Sequence, residues 1–426
     1  MLARAHGPIV EECKSLWDKL RLKVTPLEEK QRLITQILGK LEDKIVEVTL
    51  KHDASRMVQW CVQYGSQTQQ ETVMKEVSPQ LLQLCTAKHG HQLVEKILVH
   101  GTNSMKLAVA HAVKGHVVRL CTHNLGAVVM ELGFTKAWKA NESWQVFQQL
   151  FGHEFTHFPT KLKSLRAILE ESPAKRGPIL ENMVKLVNKQ ATKRLLGLTF
   201  AHKLLQEILT HGDPRTHWIP VIPVIREAVV ALCSSRPGAI AACACFGYGS
   251  PKDRKTLLQT LKPHSMELAC HSQGHLVLLQ AMGVTDDTKL LNKWLISDLY
   301  AQLPTLVCDS YGRKLLLSLL TPNDPRYFSP ADQKLLAPLT VKSDEGDDVP
   351  TSKKDADTRR GELWTVLEPK LLEACTSYAS VFARDKHGMA VLLEVALRHP
   401  SPELHDAILT VLDEGVPAGG DGDVDL

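Results

Sequence analysis

The sequence predicts an all-α solenoid of stacked helical repeats, each about 36 residues long with room for three short helices. The first observation is one stretch, His89 to Gly101 (HGHQLVEKILVHG), read as a short helix. Its apolar stripe is Leu93, Val94, Ile97 and Leu98, and its polar face is His91, Gln92 and Glu95, which are neighbours at i, i+1 and i+4. The second is recurrence. Aligned on His91, the units centre on Ser55, His91, Gly126, His202, Gly238, His275, Arg313 and Met389, at steps of 36, 35, 76, 36, 37, 38 and 76. The third is composition. Aromatics are only 5% of a chain rich in Leu, Val, Ile and Ala, which suits stacked helices better than a β-sandwich. A lone unit of this kind cannot bury its apolar face, so neighbours supply the core.

Taken in order, residues 1–50 read as two helices. Glu11 to Arg21 carries Cys13, Leu16, Trp17 and Leu20 at helical spacing, and Glu28 to Val48 follows Pro26 with Leu33, Ile37, Leu41 and Ile45. The repeats come next. Leu84-Cys85-Thr86 and Leu120-Cys121-Thr122, 36 apart, mark the same period. Each long step of 76 is twice 38 and implies a degenerate unit, one near Ser164 in KLKSLRAILEE and one between Leu335 and Leu372. Poor patterning at Phe151 to Pro159 predicts a bend between 1–150, with the first helices and repeats, and 151–412, with the later repeats. Residues 342–361 (KSDEGDDVPTSKKDADTRRG) are charged and nearly free of hydrophobics, so they are expected to be a disordered insertion. The tail, 413–426, is expected to be disordered for the same reason.

Composition limits the function classes. A formal charge of +4 over 426 residues implies no nucleic acid by itself, so the distribution of charge matters more than its sum. No apolar run approaches the ~20 residues of a membrane span, and the opening MLARAHGPIVEECKSLWDKLR has charges where a signal peptide is apolar. An intracellular protein is expected. Cys85, Cys121, Cys233, Cys270 and Cys308 each precede the recurring helix by five or six residues, as small buried thiols would. Cys243 and Cys245 form C-x-C, which lacks the spacing of a zinc site.

His153-Glu154-Phe155-Thr156-His157 matches H-E-x-x-H, a motif that holds zinc only on a continuous helix. Gly152 and Pro159 leave that helix barely two turns, and no third ligand is apparent, so a connector is expected and no metal. There is no phosphate loop, dinucleotide fingerprint or nucleophile elbow, so neither an enzyme nor a cofactor is expected. The polar faces of the recurring helices are more informative. Their i, i+1 and i+4 residues run Ser55/Arg56/Gln59, His91/Gln92/Glu95, Gly126/Ala127/Met130, His202/Lys203/Gln206, Gly238/Ala239/Ala242, His275/Leu276/Leu279, Arg313/Lys314/Leu317 and Met389/Ala390/Leu393. Singly, each basic residue among them suits a solvated helix face. Together, Arg56, Lys203, Arg313 and Lys314, with His91, His202 and His275, form a stripe that can track a phosphate backbone.

A repeat of about 36 residues with such a triplet on its second helix resembles the Pumilio, or PUF, repeat. The opening LARAHGPIVEECKSLWDKLR, Arg226-Glu-Ala-Val-Val, Pro251-Lys-Asp-Arg-Lys, His275-Leu-Val-Leu-Leu, Asp286-Asp-Thr-Lys-Leu and Tyr311-Gly-Arg-Lys-Leu-Leu are similar to the divergent nucleolar, Puf-A-type branch. The resemblance covers Leu2 to about Leu412. It implies a right-handed, curved or L-shaped array of about eleven repeats in two subdomains. It also implies a nuclear and nucleolar location, a role in large-subunit ribosomal RNA processing, and binding of RNA, and of DNA, with little sequence preference. Ribosome-assembly proteins are the implied partners, with the protein itself a monomer. Members of this branch carry a lysine-rich upstream tail, and this chain begins where the array begins; Lys353-Lys354 and Arg359-Arg360 are its nearest equivalent to a nuclear signal.

Base-reading repeats need hydrogen-bonding residues at i and i+4 and a stacking side chain at i+1. Only Ser55/Arg56/Gln59 meets all three demands, while Met130, Ala242, Leu279, Leu317 and Leu393 cannot bond a base edge. The expectation is therefore RNA binding by charge and shape. The alternative is a protein-binding scaffold, which the Gly, Ala and Leu triplet residues would also suit.

Overall fold

The computed structural model describes residues 7–413, apart from 344. Asp413 ends the helix Pro402–Asp413, and the rest of the expected tail lies outside the described residues. The fold is the helical-repeat solenoid that the period implies. The strands among the described residues are one short antiparallel pair. Packing divides the chain into two compact units at His211–Gly212, not near residue 151. The weakly patterned stretch after residue 150 belongs firmly to the first unit, because Trp144, Phe147, Phe151 and Phe155 form a chain of edge-on and tilted rings at 5.6–5.8 Å. Its aromatic spacing is not that of the repeats, so it reads from sequence as a break.

In the first unit the recurring helices are α1 (His52–Tyr64), α2 (Gly90–His100) and α3 (Asn124–Leu132); after the long α4 (Arg176–Thr192) comes α5 (Thr199–His211). In the second unit they are α6 (Arg236–Tyr248), α7 (Gly274–Val284) and α8 (Gly312–Leu320). Then follow the hairpin β1 (Thr340–Lys342) and β2 (Asp348–Pro350), the long α9 (Ala356–Ser377) and the last recurring helix, α10 (Lys386–Arg398). Within the units α1 packs on α2, α2 on α3, α6 on α7 and α7 on α8. The apolar stripe of α2 does what its spacing predicts: Leu93, Val94, Ile97 and Leu98 are fully buried, each contributing roughly 1.5–3 kcal/mol. Near Ser164, the helix Leu165–Glu171 starts with the Ser164 hydroxyl accepting from the Ala167 N–H. The unit expected between Leu335 and Leu372 is absent from the stack, because α8 packs directly on α10. Residues 321–355 are an insertion.

Each recurring helix starts in one way. The residue four before the triplet's first member takes its N–H: Ser55 N to Lys51 O, His91 N to Ala87 O, Ala127 N to His123 O, Ala239 N to Ser235 O and His275 N to His271 O. Where that starting residue is His123, Ser235, His271, Asp309 or Asp385, its side chain also accepts from the N–H of a glycine three residues on. The glycine is required by close approach. A Cβ on Gly274 would stand 2.7 Å from Leu268 O, and one on Gly388 would stand 2.9 Å from Phe382 Cα. The cysteine at the end of the preceding short helix is buried in three repeats and only partly buried at Cys270 and Cys308. Cys85, Cys121 and Cys233 are buried, and burial pushes the Cys85 and Cys233 thiols up to about 12.

The third helix of the repeat ties neighbours together. Gln70 Nε2 donates to Val62 O at 2.7 Å, in α1, and to His100 O at 3.2 Å, in α2. Arg254 does the same in the second unit, donating to Phe246 O and Gly247 O of α6 and to Val284 O of α7. These are the orphan carbonyls that any helix end leaves.

The segment expected to be disordered, 342–361, is built. Val341 pairs with Val349 in the hairpin, and α9 begins at Ala356. Arg359, 4% exposed, donates to Gly283 O and Ser352 Oγ, to Asp286 Oδ1 at 3.2 Å and to Lys354 O at 2.7 Å. Asp286 also accepts from Ser352 Oγ and from the Lys353 and Lys354 N–H groups. Burial would raise the Asp286 carboxyl, but these donors outweigh it and hold the group at about 2. Low hydrophobicity concealed a segment anchored by polar contacts.

Candidate nucleic-acid interface

The shared start of the helices fixes the register of the triplets, and it corrects two of them. Gly126 and Gly238 are equivalent to Gly90 and Gly274, not to His91 and His275: Gly126 is set against Leu120 as Gly90 is against Leu84, and Gly238 donates to the side chain three residues earlier as Gly274 does. The third triplet is therefore Ala127/Val128/Glu131, and the fifth is Ala239/Ile240/Cys243. Sequence alignment missed this because a glycine was matched to the wrong neighbour by one residue. At i+4 the first unit then reads Gln59, Glu95, Glu131 and Gln206, all polar. The second reads Cys243, Leu279, Leu317 and Leu393.

In the first unit most polar triplet groups are spent inside the protein. Ser55 is 1% exposed and donates to His89 O at 3.3 Å. Gln59, 8% exposed, donates to Ser55 Oγ at 2.9 Å and to Gln92 Oε1 of the next repeat at 3.2 Å. His91 Nδ1 bonds Ala87 O at 2.9 Å, and its Nε2 lies 3.8 Å from Glu95. Burial raises the Glu95 carboxyl against the pull of His91 and Lys96. Glu131 accepts from Thr199 N, Thr199 Oγ1 and Phe200 N, so it caps α5. His202 is fully buried with Nε2 on Leu196 O, and burial lowers its pKa. Ser55 and Gln59 thus tie neighbouring repeats, His202 bonds the turn before its own helix, and all three are buried, contrary to the expectation from sequence. The exposed members are Arg56, Gln92, Val128 and Lys203, all at i+1, while Gln206 is half-buried. Lys203 Nζ lies 4.8 Å over the Phe147 ring.

In the second unit the chain's own insertion packs against the first two triplet helices, while Met389 and Leu393 of the last triplet are exposed. The helix Pro330–Leu336 packs on α6 and α7. From it Asp332 reaches Arg236 at 2.9 Å and Lys314 at 3.9 Å, and Leu339 lies against Gly247. His275, Leu276, Leu279 and Leu317 are buried. His275 Nδ1 bonds His271 O at 3.0 Å, its ring lies 5.0 Å from Tyr311, and burial lowers it to about 4. It is a neutral core histidine and not part of a basic stripe. Lys314 is half-buried and already paired with Asp332. Arg313 is half-buried, with Nε lacking a hydrogen-bond partner among the described residues. The sequence offered one signal for this cover: a proline-bounded helix, Ser329-Pro330 onward, inside a step too long for one repeat.

His153 and His157 are exposed, with Nε2 atoms 3.3 Å apart across a helix of four residues, Glu154–His157. Among the described residues no three His, Cys, Asp or Glu side chains are grouped to hold a metal.

Residues 54–78 and 80–112 match the Pumilio-family RNA binding repeat, and residues 308–423 match the CPL (NUC119) domain. The solved structure of human Puf-A in complex with DNA superposes with a TM-score of 0.85 at 29% identity, covering 94% of this chain and 78% of that one. The chain belongs to the Pumilio repeat family. Free human Puf-A gives a TM-score of 0.87 at 28% identity, covering 98% of this chain and 80% of that one. Among Pumilio relatives, human Pumilio homolog 3 is 30% identical over 99% of this chain, and Pumilio homology domain family member 6 of Schizosaccharomyces pombe is 31% identical over 94%. The chain spans 65% and 63% of their lengths.

Proposed function

We propose that this Pumilio-repeat protein binds RNA, and DNA by the same contacts, through backbone charge with little choice of base, and that it acts in nucleolar maturation of large-subunit ribosomal RNA. One observation carries the binding mode. The triplet groups that would read a base edge are mostly bonded within the protein in the first unit, and in the second the i+4 residues are apolar and His275 is buried. What the first unit leaves exposed is the i+1 row, Arg56, Gln92 and Lys203. A cation there meets phosphate or stacks on any base, so it discriminates poorly. The family match and the DNA complex of human Puf-A support the ligand class. The likeness to the Puf-A branch supports the nucleolar role.

Titration of unrelated RNAs of about 30 nucleotides, over about 50 to 200 mM salt, tests this. Affinities should agree within a few-fold across sequences. Replacing Arg56 and Lys203 by alanine should weaken all of them alike and flatten the salt slope by roughly 0.7 per lost contact. Selection of one defined motif, bound with little salt dependence, would restore base reading. Crosslinking in cells should recover ribosomal RNA precursors, and recovery of messenger RNA alone would overturn the cellular role.

A further inference from the structure

The first unit holds a groove of about 960 Å³ in which no triplet residue takes part. It runs between the short helix Val117–Cys121, the segment from Gln149 to His157, and α4. Lys114 and Arg119 line one side; Lys185 and Lys189, one turn apart on α4, line the other. All four are exposed. His116, His153 and His157 add three imidazoles, the last two bonded to each other, and the lining includes no Asp or Glu. Two carboxylates adjoin lining residues in the sequence, and both are paired with lysines. Glu154 pairs with Lys175 at 3.3 Å, and Glu181 lies 3.7 Å from Lys185 along the solvent face of α4, an exposed pair that competes weakly with a ligand. The walls are braced from within: Gln149 Oε1 accepts from Gly115 N–H at 2.9 Å, and Asn182 Nδ2 donates to Phe151 O at 3.4 Å. The floor includes Leu150 and Leu186, and no Phe, Tyr or Trp lines the groove, so its only rings are the three imidazoles.

We infer that this groove grips the phosphodiester backbone of a single RNA strand, as a second contact apart from the triplet face. Two facing rows of cations over an apolar floor match a chain of regularly spaced phosphates. A strand that engages both surfaces gains from effective concentration, so long RNA should bind more tightly than fragments that reach only one. The inference rests on the nucleic-acid reading proposed above.

The test is Lys185→Glu/Lys189→Glu beside Lys185→Arg/Lys189→Arg, with anisotropy measured on labelled oligouridine of about 30 nucleotides over a salt series. The charge-reversed protein should melt as the unaltered one does. It should lose about tenfold in affinity near 100 mM salt, and its salt slope should fall by roughly 1.4, two contacts at about 0.7 each. The arginine pair should bind within about twofold of the unaltered protein. If charge reversal changes nothing while Arg56→Ala/Lys203→Ala weakens binding, the groove is overturned and the proposed function stands. If the unaltered protein binds no RNA at any salt, both fall. If polyglutamate of equal charge displaces the RNA as well as unlabelled RNA does, and loses this ability on charge reversal, the groove belongs to an acidic polypeptide and the assignment to RNA is overturned.

Discussion

Replacing Arg359 by leucine should release the segment that ties the hairpin to the second unit. The guanidinium is 4% exposed and serves Gly283 O, Lys354 O, Ser352 and Asp286 at once. Leucine keeps part of the stem's packing and removes every one of these bonds. Loss of one partner of a fully buried ion pair costs about 3–5 kcal/mol; here the Asp286 side chain is 32% exposed, so the lower end of that range applies. Arg254, 4.0 Å from Asp286, remains to neutralise that carboxylate, which places the expected cost nearer 3. Hydrogen exchange read by mass spectrometry separates this local opening from global unfolding. Protection of the Lys353 and Lys354 amides, both bonded to Asp286, should fall by about a hundredfold for 3 kcal/mol. A freely moving 342–361 segment would leave these amides at random-coil rates in the unaltered protein, with a change in stability below about 0.5 kcal/mol. That result would refute the polar anchor.

Three further outcomes follow from the repeat geometry. Glu131→Ala removes the carboxylate that caps α5 and should cost about 1–2 kcal/mol in urea titration; no change would return that residue to the solvent. Gly274→Ala sets a methyl 2.7 Å from Leu268 O and should cost about 1–3 kcal/mol, whereas Gly283→Ala, with open space at its Cβ, should be neutral or stabilise by up to about 1 kcal/mol. Equal melting of the two variants would contradict the close approach. His275 is lowered to about 4 by burial, with the nearby Lys314 and Arg236 opposing its charge and Asp332 favouring it. Its neutral form is favoured in the fold, so this stability is present above about pH 6.5 and is lost as pH falls toward 4. Roughly 2 kcal/mol should be gone by pH 5, and His275→Gln should flatten that slope.

The fold was legible because its signal is periodic. Leu93, Val94, Ile97 and Leu98 repeat at helical spacing, and the unit repeats at a near-constant step, so stacking follows from burial alone. The register of two triplets was not legible. Gly126 and Gly238 differ from their neighbours by a one-residue shift that only the hydrogen bonds to His123 and Ser235 resolve. The site was legible in residue type but not in availability. Ser55, His202 and His275 look like ligand-facing polar groups in sequence, yet each satisfies a backbone carbonyl, a choice that depends on where the preceding turn lies. The basic groove was missed because its cations come from three elements lying outside the repeat triplets, although Lys185 and Lys189 share one helical face.

The bonds made by Gln70 and Arg254 bear on how the array comes apart. Each side chain holds the C-terminal carbonyls of its own recurring helix and of the next one. A repeat that frays therefore strips its neighbour of a buried partner as well as an apolar face, and the two losses fall on the same junction. In a one-dimensional array this raises the interface term relative to the intrinsic stability of a repeat. The units should then melt in blocks several repeats long, and foreign segments should be tolerated in the link between the second and third helices, as between α8 and α9, rather than within a bonded pair.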